Sequence, residues 1–418
     1  MSYDENVLLK RREFLNEIEI ICQNDKTNTS LAYITINNAP EVARIKQGRA
    51  AAVAIINYVE KYLADFVKND ADIVFGKLSF DSYGLILRNN VGQSCKILDN
   101  LVMGLERKTL RLGTKIYYPQ LIVGLTPMTP DYPSYEIVTI AANEALRQAK
   151  NIGHSVVKVL EFNDADLRQR ITNLRLLPKI REALRAKKFV LFAQPIVALN
   201  TSHLPKKMEI LLRYNDNRNY LSPYKYLKAA EALSLSRQID RYVLENFAKY
   251  YQRFATPEHL YSINIAGGTV RSDFFEFSKR IFKKYKVNPE QVCFELTENV
   301  VSTDGDYAQE LMNSLKGLGC QLALDDIGVG SSNLANMPRI NVDYFKIDGS
   351  FIVKMLEDDY SLQVIKFVQM AAEKFGKETV AEFVETQEQL EQLKSLGIHY
   401  IQGYLKGKPE LLFDPAKF

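Results

Sequence analysis

The stretch Gln321-Leu-Ala-Leu-Asp-Asp-Ile-Gly-Val-Gly330 joins an apolar run to two adjacent carboxylates and two glycines. The apolar run predicts a buried strand, and the Gly-x-Gly after it predicts a tight turn. Asp325 and Asp326 then lie where the strand leaves the core, the usual place for catalytic groups in a barrel of parallel strands. Two like charges side by side repel each other, and a cation nearby would relieve the repulsion. For an isolated pair, a solvated Asp-Asp turn is the simpler interpretation. Residues elsewhere in the chain are therefore needed to distinguish a solvated turn from a cation-binding pair.

Eight short runs with strand character follow one another in the C-terminal part of the chain, most of them separated by helical patterns. They are residues 190–197, 208–213, 261–265, 292–297, 321–325, 344–348, 379–384 and 400–405. The intervening segments 224–232, 309–318, 362–375 and 388–396 have the periodicity of amphipathic helices. Eight strands with helical returns in about 240 residues predict an α/β fold, a TIM-like (β/α)8 barrel. An open doubly wound sheet is the alternative, but no Gly-rich nucleotide fingerprint supports it.

Charged or amide residues stand in or at the end of most of these runs. In chain order they are Glu209, Asn264, Glu295, Asp325 with Asp326, Lys346, Glu382 and Gln402. Charged side chains are almost never buried without a partner, so their recurrence predicts that they point toward one place. Carboxylate and amide oxygens suit hard cations, and two such cations would hold both the attacking and the leaving oxygen of a phosphoester displacement.

Composition limits the classes of protein that the chain can belong to. A length of 418 residues predicts two or three domains, and 46% hydrophobic residues suffice for their cores. No run approaches 18 apolar residues and the N-terminus lacks a signal-peptide core, so we expect a cytoplasmic protein without a membrane span. A net charge of +4 without a basic stripe argues against nucleic acid as a partner. The four histidines form no HExxH motif, and the four scattered cysteines form no CxxC pattern, so any metal would be held by carboxylates.

Residues 1–160 have the element order of an α+β domain with a mostly antiparallel sheet. Predicted strands at 31–37, 73–78, 83–87 and 121–125 alternate with predicted helices at 4–22, 50–67, 97–105 and 138–150. Over roughly residues 4–162 this order resembles a GGDEF domain, the diguanylate cyclase fold. The signature of that family, Arg-Leu-Gly-Gly-Asp-Glu-Phe, stands here as Lys77-Leu-Ser-Phe-Asp-Ser-Tyr83, and the family's metal-binding aspartate aligns with Thr35.

The departures from that signature imply a domain without cyclase activity. Ser79 and Phe80 replace the two glycines that let backbone approach a phosphate, and Ser82 replaces an acidic residue. The family's inhibitory RxxD motif is missing as well. We therefore expect a degenerate GGDEF-like domain with a regulatory or dimerising role, joined by a helical linker at residues 161–176 to a barrel domain at residues 177–418.

Seven short motifs follow one another along the barrel segment, one to a strand. They are Glu209-Ile-Leu211, Ser262-Ile-Asn264, Glu295-Leu-Thr-Glu298, Asp325-Asp326-Ile-Gly328, Lys346-Ile-Asp348, Glu382-Phe-Val-Glu385 and Gln402-Gly-Tyr404. In this order they resemble the EAL family of cyclic-di-GMP phosphodiesterases over the whole segment. The resemblance implies two-metal hydrolysis of cyclic-di-GMP, a bacterial second messenger, to linear pGpG.

The resemblance also implies a role for each residue that matches a family motif. Two Mg²⁺ or Mn²⁺ ions would be held by Glu209, Asn264, Glu295, Asp325 and Asp326, and Ca²⁺ is expected to inhibit. Lys346, Glu382 and Gln402 would be catalytic. The substrate would be bound by Gln194, Arg213, Asp348 and Glu385, and Glu298 would brace the loop after Asp326. A simpler interpretation of Asp348 and Glu385 is that they are ordinary helix-start carboxylates.

Two departures from the EAL pattern bear on activity. Phe383 stands where the family has glycine, and Val329 and Ser331 replace a Thr and a Tyr in the loop after Asp326. A homodimer through the EAL barrel and a regulatory protein partner are also expected. The alternative to an enzyme is a non-enzymatic cyclic-di-GMP receptor that signals by domain movement, and a pure interaction scaffold is a third reading.

Overall fold

The computed structural model describes residues 8–24, 28–37, 48–68, 70–153, 155–199, 206–270, 273–303, 305–328 and 340–417. The chain divides into two compact units, Met1–Thr172 and Asn173–Phe418. The helix Ala165–Arg185 crosses this boundary, and it covers most of the segment predicted as a linker as well as the start of the predicted barrel domain. No helix within the described ranges combines the length and the apolarity that a membrane crossing requires.

The first unit is built on a mixed sheet. Its strands are β1 (Leu8–Leu9), β2 (Thr29–Ile36), β3 (Ile73–Lys77), β4 (Ser82–Leu87), β5 (Leu110–Leu112), β6 (Lys115–Tyr117), β7 (Leu121–Met128) and β8 (Val156–Val159). In the described residues the sheet order is β1-β3-β4-β2-β7-β8, with β5 and β6 forming a separate pair. The three central pairings are antiparallel, which confirms the predicted mostly antiparallel sheet. The helices of this unit are Arg11–Asn24, Gly48–Val67, Val91–Glu106 and Tyr135–Ile152.

The first predicted helix begins later than expected. It starts at Arg11, because Leu8 and Leu9 pair in parallel with Phe75 and Gly76 as strand β1. The ring of Phe14 then lies directly on the sheet. A Cβ atom at Gly76 or at its cross-strand partner Gly84 would come within 2.3 Å of that ring, so both positions require glycine.

The second unit contains a closed barrel. Its strands are β9 (Phe189–Ala198), β10 (Lys206–Asp216), β11 (Asn219–Leu221), β12 (His259–Asn264), β13 (Val292–Thr297), β14 (Gln321–Ile327), β15 (Tyr344–Ile347), β16 (Glu378–Ala381), β17 (Tyr400–Gln402) and β18 (Glu410–Phe413). Within the described residues the barrel order is β10-β12-β13-β14-β15-β16-β17-β9, and β9 closes the ring by pairing with β10. The predicted TIM-like barrel is therefore confirmed, with β11 and β18 as additional edge strands.

One strand departs from a regular (β/α)8 barrel. β9 runs antiparallel to both of its barrel neighbours, β10 and β17. The cause is the short connection from Ala198 to Lys206, since a parallel crossover needs a dozen or more residues. The remaining strands run parallel and bring their carboxyl ends to one mouth.

Helices surround the barrel and cover its outer face. They are Tyr224–Ala232, Ser236–Phe254, Gly267–Val270, Phe274–Tyr285, Glu298–Thr303, Gly305–Leu318, Gly349–Lys354, Asp359–Phe375 and Gln387–Ser395. Their apolar faces pack on the outward-facing strand residues in one large core, in which Phe247, Phe294 and Phe345 are fully buried. The sequence analysis did not predict the long helix Ser236–Phe254, although its apolar residues recur at helical spacing.

Inside the barrel, side chains form layers, because residues two apart on a strand face the same side. The upper layer holds the polar residues named from the sequence. Beneath it lies a mostly apolar cluster that consists of Ile196, Leu260, Cys293, Ala323, Tyr344, Val380 and Tyr400. The ammonium of Lys207 lies 3.5 Å and 3.4 Å from the ring centroids of Tyr344 and Tyr400, so this cluster contains a buried cation.

Candidate active site

The ammonium group of Lys346 lies at the centre of the barrel mouth. Its side chain is 1% exposed and its Nζ is 2.6 Å from Glu295 Oε2, 2.6 Å from Glu382 Oε1 and 3.2 Å from Asp325 Oδ1. A fourth carboxylate oxygen, Glu209 Oε2, is 3.9 Å away. Five strands or strand ends thus bring their polar residues to one point, as the recurrence of charged residues along the sequence predicted.

Amide side chains hold Glu209 from the other side. Asn264 Nδ2 donates to Glu209 Oε1 at 2.7 Å, and Gln402 Nε2 donates to Glu209 Oε2 at 2.6 Å. Gln402 Nε2 is also 3.0 Å from Gln194 Oε1, and Gln194 Nε2 donates in turn to the carbonyl of Gly407. Both oxygens of Glu209 are therefore oriented, and the structure places Gln194 in this network at the base of the mouth.

The Asp325–Asp326 pair lies in a β-bulge. The pairing of β14 with β15 shifts register between Leu324 and Ile327, and Asp326 has a left-handed backbone with φ of 58°. A bulge redirects side chains, so two consecutive carboxylates can both approach the mouth instead of pointing to opposite faces. The amide of Asp326 donates to Asp325 Oδ1 at 3.0 Å, and the turn continues through Gly328 at φ of 102°.

These acidic groups carry more negative charge than their single cation balances. Burial raises the pKa of Glu295 to about 8, against the lowering effect of Lys346 and with a further raising effect of Glu209. Burial likewise raises the pKa of Asp325 and, well above its ordinary value, that of Glu382. Burial alone would lower the pKa of Lys346, but the surrounding carboxylates outweigh it and raise that pKa well above its usual range. When all are ionised, three negative charges remain uncompensated.

The chemistry of this group suits a hard divalent cation, although its present arrangement centres on Lys346. In the described part of the chain, no three acidic, histidine or cysteine side chains are already arranged around a common coordination point. The donors are nevertheless carboxylate and amide oxygens, the ligands that Mg²⁺ and Mn²⁺ prefer. Burial, and after it the charge of Asp325, raise the pKa of Asp326 to about 6. A divalent cation bound here would neutralise the negative charge that the two carboxylates place on each other.

A cavity of about 270 Å³ opens above these groups. Its floor includes Glu209, Asp325 and Glu382, and its wall includes Arg213 and Glu385. The remaining lining residues are Gln194, Leu211, Phe383, Gln402, Gly403, Tyr404 and Pro409. Sequence reasoning did not assign a role to Phe383 or Tyr404, whose rings are exposed, although Phe383 was recognisable as an aromatic residue at a glycine position.

Two of the residues that the sequence predicted for the site, Glu298 and Asp348, accept hydrogen bonds from nearby backbone amides. Glu298 is the buried first residue of the helix Glu298–Thr303, and its Oε2 accepts from the Gly328 amide at 3.4 Å, at the start of the loop after Asp326. Asp348 is the N-cap of the helix Gly349–Lys354 and accepts from the amide of Ser350 at 2.9 Å, as in the simpler helix-start interpretation. Val329 and Ser331 lie outside the described residues.

Comparison with known proteins identifies the barrel unit. Residues 178–409 match the family model described as EAL domain. The chain belongs to the EAL family. Its EAL segment is 35% identical over 243 residues to the cyclic di-GMP phosphodiesterase PdeF of Escherichia coli, which covers 57% of this chain and 32% of that protein. The chain spans between 32% and 40% of the length of three curated relatives, two of them named cyclic di-GMP phosphodiesterase and one named probable cyclic di-GMP phosphodiesterase.

Solved structures of the same family resemble the EAL barrel, and one solved structure resembles nearly the whole chain in fold. The PaMucR phosphodiesterase in complex with c-di-GMP is 26% identical with a TM-score of 0.53, and the match covers 57% of this chain and 98% of that one. The S helix-GGDEF-EAL part of LapD from Vibrio cholerae, bound to c-di-GMP, has a TM-score of 0.52 and covers 95% of this chain and 93% of its own. At 18% identity that second likeness concerns the fold alone.

Proposed function

We propose that the EAL barrel of this chain hydrolyses one phosphodiester bond of cyclic-di-GMP and releases linear pGpG. The observation that carries the proposal is the buried group of carboxylates around Lys346, which has excess negative charge and lies beneath a cavity bordered by Arg213. Support comes from the related proteins, which include cyclic di-GMP phosphodiesterases and a phosphodiesterase in complex with c-di-GMP. In the reaction, water adds to phosphorus, one P–O ester bond breaks, and the leaving sugar oxygen takes up a proton.

In this proposal, oxygen ligands from five residues of the barrel strands would hold two Mg²⁺ or Mn²⁺ ions: Glu209, Asn264, Glu295, Asp325 and Asp326. Bound there, divalent ions stabilise the negative charge that develops on the attacking and leaving oxygens. Gln402 and Asn264 orient Glu209 through their amide hydrogen bonds. Ca²⁺ is expected to support binding of the dinucleotide but not its turnover.

Lys346 and Glu382 are proposed catalytic residues with different tasks. Glu382 borders the cavity and has a raised pKa, so it is suited to accept the proton of the attacking water. The Lys346 ammonium faces three carboxylate oxygens within 3.2 Å, so in this arrangement it holds those carboxylates in position.

Arg213 and Glu385 are the proposed contacts of the dinucleotide in the cavity. A guanidinium forms paired hydrogen bonds to phosphate, and a carboxylate can accept from the N–H groups on the edge of guanine. Arg213 donates to the Leu212 carbonyl at 2.8 Å, which fixes part of its guanidinium at the cavity wall. Gln194 completes the floor beside Gln402. Asp348 remains a proposed contributor through its position after Lys346.

For the N-terminal unit we infer a degenerate GGDEF-like domain that regulates without synthesising a cyclic dinucleotide. Hydroxyl groups occupy the positions where the cyclase family carries its acidic groups. Ser82 Oγ lies 3.3 Å from Thr35 Oγ1 and 3.2 Å from Asp81 Oδ1, and Ser79 Oγ donates to the same Asp81 oxygen at 3.1 Å. Asp81 is thus engaged by its neighbours, and the ring of Phe80 stands exposed where a phosphate-binding glycine is expected.

A non-enzymatic cyclic-di-GMP receptor is the second candidate. The observation that favours it is the position of Lys346, whose ammonium lies where the carboxylates converge and competes with a cation for their oxygens. One experiment separates the candidates. The full chain is incubated with cyclic-di-GMP and Mg²⁺ while pGpG is followed by chromatography, and binding is measured in Ca²⁺. Hydrolysis that disappears in Glu209→Ala supports the enzyme; binding without pGpG supports the receptor; absence of both rejects both.

A further inference from the structure

Phe383 has a backbone conformation that glycine adopts more easily. Its φ is 55°, in the left-handed region. The flanking backbone cannot relax this geometry: the Glu382 amide donates to the Ile347 carbonyl at 3.3 Å, and the Val384 amide donates to the Gln402 carbonyl at 3.0 Å. The next strand is also close, because a Cβ at Gly403 would lie 2.1 Å from the Val384 carbonyl oxygen. An aromatic side chain is therefore present at a position where the backbone favours glycine, and such strain points to a function.

The side chain of Phe383 is supported on one side and open on the rest. It packs against Gly349, the first residue of the helix after Asp348; a Cβ atom there would come within 2.2 Å of Phe383 Cδ2 and 2.6 Å of its Cγ. Despite this contact, Phe383 remains 59% exposed. Its position is therefore held by the helix start while much of its surface faces solvent.

The exposed part of Phe383 borders the cavity above the carboxylates. Glu385, two residues further along, borders the same cavity, and so does the 56%-exposed ring of Tyr404. Arg213 lies on the wall as well. An aromatic surface beside a carboxylate and a guanidinium offers the three elements that a nucleotide needs, which are a stacking face for the base, an acceptor for its edge and a cation for its phosphate.

We propose that Phe383 is a substrate-binding residue, whose ring stacks on one guanine of the bound dinucleotide. The inference rests on the proposed function, since it names a binding element of the same site. A glycine at this position gives the base no such contact, so this chain is expected to bind cyclic-di-GMP more tightly than it would with glycine. Stacking of a base on an aromatic ring corresponds to a change in Kd of about 5- to 150-fold.

The test compares four forms of the full chain by calorimetric titration with cyclic-di-GMP in Ca²⁺, which prevents turnover. Phe383→Leu keeps apolar bulk but removes the aromatic face, and Phe383→Trp keeps the face. Phe254→Leu is the matched control, because Phe254 is half-exposed on the barrel unit and ends a helix that returns to the opposite face of the barrel. Thermal midpoints within a few degrees of the unaltered chain show that each form is folded.

We expect the Kd of Phe383→Leu to rise about tenfold or more, and that of Phe383→Trp and Phe254→Leu to stay within about threefold of the unaltered chain. In Mg²⁺, Phe383→Leu should raise KM by a similar factor and leave kcat within about twofold, because the ring is not among the reacting groups. An unchanged Kd in Phe383→Leu, or an equal loss in Phe383→Trp, would overturn the stacking role. If the unaltered chain bound no cyclic-di-GMP, the proposed function itself would be rejected.

Discussion

Replacing Lys346 with methionine, at nearly constant side-chain volume, removes an ammonium that lies within 4 Å of four carboxylates, three of them buried. Among the described residues, no other cation lies this close to those carboxylates. Removing one partner of a buried ion pair costs about 3–5 kcal/mol, because the remaining charges stay uncompensated. For a unit of this size, each kcal/mol shifts the melting midpoint by about 2–4 °C, so Lys346→Met should melt about 6–20 °C lower than the unaltered chain. The measurement is differential scanning calorimetry at pH 8 in EDTA.

Three controls make this result specific. Lys249→Met removes a half-exposed lysine that pairs with Glu245 at 3.5 Å, and it should change stability by less than about 1 kcal/mol. The deficit of Lys346→Met should shrink at pH 5.5, where carboxylates with raised pKa values take up protons, and in Mg²⁺, which supplies the missing positive charge. A Lys346→Met midpoint equal to that of the unaltered chain at pH 8 in EDTA would refute the reasoning.

Other parts of the barrel give three further predictions. In EDTA, the free energy of unfolding should fall between pH 5 and pH 8. The folded-state pKa of Glu295 is raised to about 8, so the stability that its protonated form contributes is lost as the pH rises through that value. A melting midpoint that rises over this range would contradict the pKa assignment. Lys207→Met should raise stability by about 1–3 kcal/mol without changing kcat, because burial lowers the pKa of this ammonium to about 8 and its ion pair reaches 3.6 Å to Glu378 Oε2, on a partly exposed side chain. A loss of stability would mean that the two tyrosine rings and Glu378 together outweigh the burial. In steady-state kinetics on cyclic-di-GMP, Arg213→Lys should raise KM about tenfold with little change in kcat, because lysine lacks the paired donors of a guanidinium. A lowered kcat would mean instead that Arg213 takes part in the chemical step.

The barrel and its mouth could be predicted from the sequence because both depend on local patterns. The predicted strand at residues 292–297 coincides with Val292–Thr297, and the predicted helix at 224–232 coincides with Tyr224–Ala232. Apolar runs with a polar residue at the end determine both the strand and the direction in which its side chain emerges. The convergence of Glu209, Glu295 and Asp325 follows from that geometry.

What the sequence could not supply depends on contacts between distant segments. The antiparallel direction of Phe189–Ala198 follows from a short connection that separate strand predictions do not address. The bulge at Asp325–Asp326 and the central position of Lys346 result from packing at the closed barrel mouth. The position of Phe383 at the border of the cavity likewise involves its contact with Gly349, which is 34 positions earlier in the chain.

The most direct test of this account is the time course of pGpG formation from cyclic-di-GMP by the full chain in Mg²⁺, followed by chromatography beside Glu209→Ala and an EDTA control. We expect the unaltered chain to convert the cyclic dinucleotide to one equivalent of pGpG, and chelation or loss of the Glu209 carboxylate to lower the rate by about 100-fold or more. A chain that yields no pGpG in Mg²⁺ or Mn²⁺, or a Glu209→Ala variant as fast as the unaltered chain, would contradict it.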